Sequence, residues 1–437
     1  MSISRSGPDR RRQTRSSSRL PGCVAAPPMP RRDRLESVLT LAQVYRGWTL
    51  RSLAESLGRD PHKLVPESGI PKLDLVMRLA ETLDWSIDDV AMDLCGRSPG
   101  AAPDAPLAMG DFRELDRAAF EAYGANRFRE MLEIARQALA VASAPEERAR
   151  ALTRQLAALD GLGLYRQALD VAQRALRETE IPLEHHLSFR ANLANAHYTI
   201  GNIYEAESLA GSLVEWFARN PLPSECSKST RAFASYVRGS CHRVLAGLRV
   251  PQPDEHARWA ERDLGRAERM LDEYAAESGH DLYAGYANVC RGGALEVAPL
   301  TGAAPPDAVL ERFLSALDAV VDPSRMPRGA WLESWGWWCI FGCNVALRHV
   351  PDEARLQTLM AVFTNKADEV AEHLGNWALR ERVWTLELER RRRAGATTDV
   401  WVMDDDDVRV VAGTMARFPM FREVGWQVLR TARRIGQ

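Results

Sequence analysis

Cys339 and Cys343 stand four residues apart with His349 close behind, a spacing that puts two thiols on one helix face near an imidazole. Zinc takes such donors, but a structural zinc site wants four of them in short paired spacings. Buried free cysteines at i, i+4 are also ordinary core packing. His185-His186 and the run Asp404-Asp405-Asp406-Asp407 are further potential ligands. The histidines fit a helix start, and the acids fit a helix N-terminus, where the macrodipole favours negative charge. Neither a metal nor a cofactor is expected. The chain has no Gly-rich phosphate loop ending in Lys-Ser/Thr, no Gly-x-Ser-x-Gly and no His-Glu-x-x-His. A binding protein is expected rather than an enzyme.

The densest aromatic group is Trp331, Trp335, Trp337 and Trp338. Helical spacing puts Trp331, Trp335 and Trp338 on one face and turns Trp337 away. That face is either core between helices or the wall of a ligand or peptide groove. Asn288 and Asn344 fall on predicted helices, where asparagine amides can clamp a peptide backbone.

At 437 residues the chain exceeds one ordinary core, so two or more structural units are expected. The 46% hydrophobic and 27% charged residues are those of a globular protein. Seven cysteines, an odd number in a chain with ample core, argue for reduced thiols and a cytoplasmic setting. No stretch approaches the ~20 apolar residues of a membrane span, so no membrane partner is expected. The net charge of −2 hides an asymmetry: residues 1–34 hold nine Arg and two Asp, net +7, leaving −9 for residues 35–437. With Arg10-Arg11-Arg12, Ser16-Ser17-Ser18 and Pro27-Pro28, residues 1–34 carry too little apolar surface to fold and read as a disordered basic tail. Three roles stay open for it: a phosphate-binding arm, a plain solvated tail, or sequence ahead of a true start at Met29.

Residues 35–96 read as a small head. Leu35, Val38, Leu39, Ala42 and Tyr45 recur at helical spacing until Gly47. Thr49 caps a second helix that Gly58 stops, and Asp60-Pro61 opens a third, a capping residue followed by proline. Leu75, Val76, Leu79 and Leu83 mark a fourth helix, and Ser86 caps a fifth with Ile87, Val90 and Leu94 inside. The run Gly47-Trp48-Thr49-Leu50-Arg51-Ser52-Leu53-Ala54-Glu55-Ser56-Leu57-Gly58, with Glu67-Ser68-Gly69 and Leu79-Ala80-Glu81-Thr82-Leu83, resembles a Cro/C1-type (XRE-like) helix-turn-helix domain. The resemblance implies that the third helix enters the major groove of double-stranded DNA. Arg59, His62 and Lys63 would then face base edges, with Thr49 and Arg51 near phosphates and Lys72 in the same local basic patch. Leu50 departs from the family, which usually places Gln there, and Pro66 falls inside the third helix. Residues 35–97 also carry seven basic and ten acidic side chains. These departures keep open a head that has lost DNA and contacts a protein instead.

Arg97 to Pro106 is rich in Pro, Ala and Gly, so residues 97–110 read as a linker. From Asp111 onward the pattern is helical, and its first third repeats. Gly124-Ala-Asn-Arg-Phe128 precedes Met131, Ala135 and Leu139; Gly161-Leu-Gly-Leu-Tyr165 precedes Ala168, Ala172 and Leu176; Gly201-Asn-Ile-Tyr204 precedes Ala206, Ala210 and Val214. Met131, Ala168 and Ala206 lie 37 and 38 residues apart. Small residues there let two helices approach closely, while Phe128, Tyr165 and Tyr204 plug the next hairpin. The pattern resembles tetratricopeptide (TPR) repeats over about 110–220. Further helices are predicted near 227–247, 254–275, 278–299, 308–321, 330–349, 353–374, 376–394 and 407–435. Pro251, Pro253, Pro305, Pro306 and Pro323 stand at the breaks. The resemblance implies a right-handed superhelix whose concave groove binds a ligand, with Asn192 and Asn195 as its clamps.

The expectation is an all-α chain: a helix-turn-helix domain at 35–96 and a right-handed α-solenoid of TPR-like hairpins at 111–437. Its expected role is a homodimeric transcriptional regulator that binds double-stranded DNA and senses a peptide, protein or small ligand. The alternative is a protein-interaction scaffold with a degenerate head.

Overall fold

The computed structural model describes residues 31–66, 71–83, 111–393 and 401–434 with short interruptions, and the helical positions 87, 90, 91 and 94. Glu67-Ser68-Gly69, Ser86, the expected linker at 97–110 and the tail up to residue 30 lie outside the described residues. The chain divides into two compact units, Met1–Pro106 and Leu107–Gln437.

In the first unit, α1 (Arg31–Arg46) starts inside the stretch whose composition reads as tail. Side chains extend it backwards: Arg32 Nε pairs with Glu36 at 3.1 Å, and Arg34 Nε donates to the Leu94 carbonyl at 3.1 Å. α2 (Leu50–Ser56) is capped by Thr49, whose hydroxyl oxygen accepts from Ser52 N–H at 3.1 Å. α3 (Leu73–Leu83) lays Leu75, Leu79 and Leu83 into a core with Leu35, Leu39, Leu53 and Leu57. The expected third helix requires correction. Among the described residues between α2 and α3 only a single 3-10 turn forms, Pro61–Lys63, capped by Asp60 Oδ1 accepting from His62 N–H at 2.8 Å. An α-helix through Pro66 would need a Pro66 N–H to bond His62 C=O, and the ring would strike that carbonyl instead. Leu64 buries into the core and the chain turns away.

The second unit is an array of TPR-like helical hairpins. α4 (Phe112–Gly124) pairs with α5 (Phe128–Val141), α6 (Pro145–Gly161) with α7 (Tyr165–Arg177), and α8 (Leu183–Thr199) with α9 (Ile203–Arg219). α10 (Glu225–Gly247) pairs with α11 (Pro253–Ser278), α12 (Asp281–Thr301) with α13 (Pro306–Ala316), and α14 (Ala330–His349) with α15 (Glu353–Leu374), before α16 (Trp377–Arg393). The first helix of each hairpin also packs on the first helix of the next, from α4 through to α16, so these helices form one layer. Met131, Ala168 and Ala206 are buried where the paired helices meet. Gly163 and Gly201 make the turns at φ +69° and +88°, a region only glycine enters freely.

Tyr204 is a correction: it is 66% exposed and plugs nothing. α5, α7 and α9 begin at Phe128, Tyr165 and Ile203, each three residues before the small-residue position. Ile203 therefore fills the plug register, and Tyr204, one residue on, points outward. The C-terminal end departs from the all-helical expectation too. β1 (Trp401–Met403) and β2 (Ala432–Arg434) pair in parallel, Trp401 opposite Ala432, around α17 (Asp405–Arg417) and α18 (Arg422–Thr431). Three residues are too few for a strand's period of two to register in sequence. Asp404 caps α17 by accepting from the Asp406 and Asp407 N–H groups at 2.8 and 2.9 Å, which explains the acidic run. No helix among the described residues is long and apolar enough to cross a membrane.

His242 gives the array an acid-sensitive contact. It is 5% exposed between α10 and α11, its ring nitrogen 3.1 Å from His256, and burial holds its pKa down to about 4. The unfolded imidazole titrates near 6.5, so unfolding takes up a proton over the interval between. Stability from His242 is complete above about pH 6.5 and is lost as pH falls towards 4. Urea midpoints should fall across that window, and His242→Gln should flatten the fall; an unchanged slope would refute the assignment.

Candidate ligand-binding cavity

The helices that open each hairpin line a half-open cavity of about 550 Å³. Helical periodicity delivers its lining. On α6, Thr153, Ala157, Asp160 and Gly161 fall on one face; on α8, Ser188, Ala191, Asn192 and Asn195 do the same. α10 adds Ser229, Thr230 and Phe233; α12 adds Leu282, Tyr283 and Tyr286; α14 adds Ala330, Trp331 and Glu333. Tyr123 comes from α4 and Trp377 from α16. The second helices contribute only Phe128, Tyr165, Leu271 and Leu374. The cavity thus belongs to one layer, and its size is that of a pocket for a drug-sized organic molecule.

Asn192, Asn195 and Trp331 meet in this wall. The Asn192 amide donates to the Ser188 carbonyl at 2.9 Å, which fixes its rotamer. Trp331 is 37% exposed. Trp335 and Trp338 do not line the cavity, which corrects their place in the groove. They pack with Ile340, Phe313 and Phe363 in the core between hairpins, where Trp338 Nε1 donates to Asn288 C=O at 2.7 Å. Asn288 and Asn344 serve the core as well, donating to Ser334 Oγ at 2.8 Å and to Glu296 Oε1 at 3.2 Å. Cys339 and Cys343 are fully buried beside them, and burial pushes the Cys339 thiol up to about 12. Among the described residues no three His, Cys, Asp or Glu side chains gather as a metal site would require.

Two cavity residues carry no sequence signal of their own: Asp160 stands just before the Gly161 turn and Glu333 between Trp331 and Trp335, and neither belongs to the pattern beside it. Burial and the neighbouring Glu333 raise the Asp160 pKa to about 7. Burial also raises Glu333, although Trp337 Nε1 donates to it at 3.2 Å and Asn376 donates as well. Tyr123 is pushed up to about 12 by burial and then by Asp160, and Tyr165 rises for the same reasons. All four groups resist carrying negative charge.

A more open depression of about 420 Å³ lies between α4 and α6, lined by Phe112, Phe120, Arg113, Arg117, Arg150, Arg154 and Asp116. Two of its arginines are committed, Arg154 to Asp116 and Arg150 to Glu146, each at 2.8 Å.

The head's expected DNA residues split into two groups. His62, Lys63 and Lys72 are exposed, the first two on the 3-10 turn and the third just before α3. Thr49 spends its hydroxyl on the cap, Arg51 pairs with Glu55 at 3.3 Å on the surface, and Arg59 pairs with Asp74 of α3.

No family model matches the chain, and no curated protein does. Among solved structures it is similar to Bacillus thuringiensis PlcR in complex with the peptide PapR7 and DNA, at 15% identity. That match covers 66% of this chain and 95% of the other, with a TM-score of 0.36. It is also similar to a Rap protein complexed with Competence and Sporulation Factor, at 11% identity over 91% of this chain and 99% of the other, with a TM-score of 0.42. At that similarity neither structure assigns a ligand, a partner or a site to this chain.

Proposed function

We propose that the protein is a ligand-sensing transcriptional regulator, not an enzyme. Its helical array takes an organic ligand, either a short peptide or a smaller molecule, into the half-open cavity. One observation carries the reading: seven successive helices of one layer each place residues around a single space. A ligand there touches the whole layer at once, so its binding energy can shift how the hairpins stack. The head contacts DNA through His62, Lys63 and Lys72, in a homodimer that reads two half-sites. Selection of random duplexes on the full chain tests this. Enriched DNA should bind with an affinity that falls linearly in log salt, and Lys63→Ala should weaken binding and reduce that slope by about one. No enrichment at low salt would refute the DNA reading.

A second reading, an interaction scaffold, is favoured by the shortened third element of the head. A single 3-10 turn offers fewer side chains to a groove than a helix, and Asp74 neutralises Arg59. Leu73 and Met77, on one exposed face of α3 at 68% and 43%, suit a protein contact. Recovery of a stoichiometric protein partner with no selected DNA would favour it.

A further inference from the structure

The charge of the cavity is one-sided. Among the described residues its lining holds two carboxylates, Asp160 and Glu333, and no lysine, arginine or histidine. Asp160 occupies the last turn of α6, the end where the helix dipole is already negative. No hydrogen bond or ion pair reaches its carboxylate among the described residues, and its side chain is exposed where it lines the cavity. Glu333 lies near enough to raise it further. Two unfavourable placements coincide: an acid at a helix C-terminus and a like charge acting on it. Folding alone gives no reason to keep them.

Aromatic side chains stand in the same wall, among them Tyr123, Tyr165, Tyr283, Tyr286, Trp331 and Trp377. Their π faces attract cations, and their phenol groups hold on to their protons. We propose that the cavity binds an organic ammonium ion, its nitrogen between Asp160 and Glu333 and its apolar body against the aromatic wall. The proposal rests on reading this cavity as the ligand site. A bare metal ion does not fit, because two carboxylates fall short of the six to eight oxygens that calcium takes. An anion would meet two carboxylates and no cation.

The titratable groups acting on Asp160 and on the tyrosines around it are Tyr123 on α4, Arg154 on α6, Tyr165 on α7, Tyr236 on α10, Tyr286 on α12, Glu333 on α14, Glu381 on α16 and Arg417 on α17. Neither arginine lines the cavity. Arg154 is tied to Asp116, while Arg417 lies over the Trp377 ring at 3.8 Å and donates to Leu162 C=O. In the free protein Asp160 binds its proton more tightly than an unfolded aspartate, so stability is lost as pH rises from about 4 to about 7. An ammonium restores both carboxylates to their charged form, so its binding releases protons and strengthens over the same interval.

Calorimetric titration of the full chain compares 2-phenylethylamine with 2-phenylethanol, its neutral isostere. At pH 8 the amine should bind about tenfold tighter or better. That preference should vanish at pH 5.5 and in Asp160→Asn. Spermidine, and a short aromatic peptide with a free or acetylated N-terminus, then separate a free amine from a peptide as the source of the cation. Without ligand, Asp160→Asn should raise the melting temperature at pH 8 and leave it unchanged at pH 5.5. Equal binding of alcohol and amine would overturn the cation assignment while leaving the cavity a ligand site. Binding by none of the probes would overturn both. A lower melting temperature for Asp160→Asn at pH 8 would show the carboxylate to be structurally satisfied, and that also overturns the proposal.

Discussion

Glu296→Ala is expected to remove about 3–5 kcal/mol of stability, the usual cost of stripping one partner from a buried ion pair. Glu296 is fully buried on α12 and meets two other helices at once. Arg243 Nη1 of α10 lies 2.6 Å from Oε2, and Arg348 Nη2 of α14 lies 2.9 Å from Oε1. Asn344 Nδ2 donates to Oε1 at 3.2 Å, and Arg243 reaches on to the Tyr198 hydroxyl of α8 at 2.8 Å. Burial pushes the Glu296 carboxyl up, but the two guanidinium groups outweigh it and hold the pKa below the usual range. Removing the carboxylate leaves Arg243, 6% exposed and stacked 4.6 Å over Phe341, as a buried cation beside a second cation. Urea denaturation of the full chain measures the loss; a change below about 1 kcal/mol would mean that water or relaxation compensates it. The double variant Glu296→Met with Arg243→Met should recover most of the stability, because a well-packed apolar pair often matches a buried ion pair.

Most of the array is legible in the sequence because each helix has a local cause. Prolines and glycines set the ends, and the buried Met131, Ala168 and Ala206 mark where paired helices touch. Expected spans near 330–349 and 353–374 coincide with α14 and α15. What escaped reading depends on partners distant in the chain. Tyr204 looks like the plug because it is aromatic, but register decides, and register favours Ile203. Trp335 and Trp338 share a helical face with Trp331, yet that face turns from cavity to core within two helical turns. Asp160 and Glu333 are invisible because their meaning lies in each other, 173 positions apart in the sequence. Pro66 was a visible warning in the head, and its effect was stronger than a shortened helix: one turn remained.

Gly285→Val is expected to destabilise the array by about 1–3 kcal/mol or more and to weaken ligand binding in the cavity. Ordinarily a glycine inside a helix costs about 1 kcal/mol relative to alanine, so filling it should help. At Gly285 the close approach of α12 to the start of α14 reverses that sign. A Cβ there would sit 2.5 Å from the Ala330 carbonyl carbon and 2.6 Å from its oxygen, and backbone cannot swing aside as a side chain can. The displaced segment carries Trp331 and Glu333, while Gly285 itself lies between the cavity residues Tyr283 and Tyr286. Strain at this contact therefore moves both walls. Gly265→Ala is the control: its Cβ would meet nothing closer than Arg269 Nη1 at 3.7 Å, so helix propensity acts alone and stability should rise by up to about 1 kcal/mol. Urea midpoints and 2-phenylethylamine titrations of the two variants decide the matter. If Gly285→Val keeps wild-type stability and affinity, the tight crossing is not what positions Trp331 and Glu333. If it loses both while Gly265→Ala loses neither, a glycine with no polar atom to offer proves to be part of the binding site, through the backbone it lets come close.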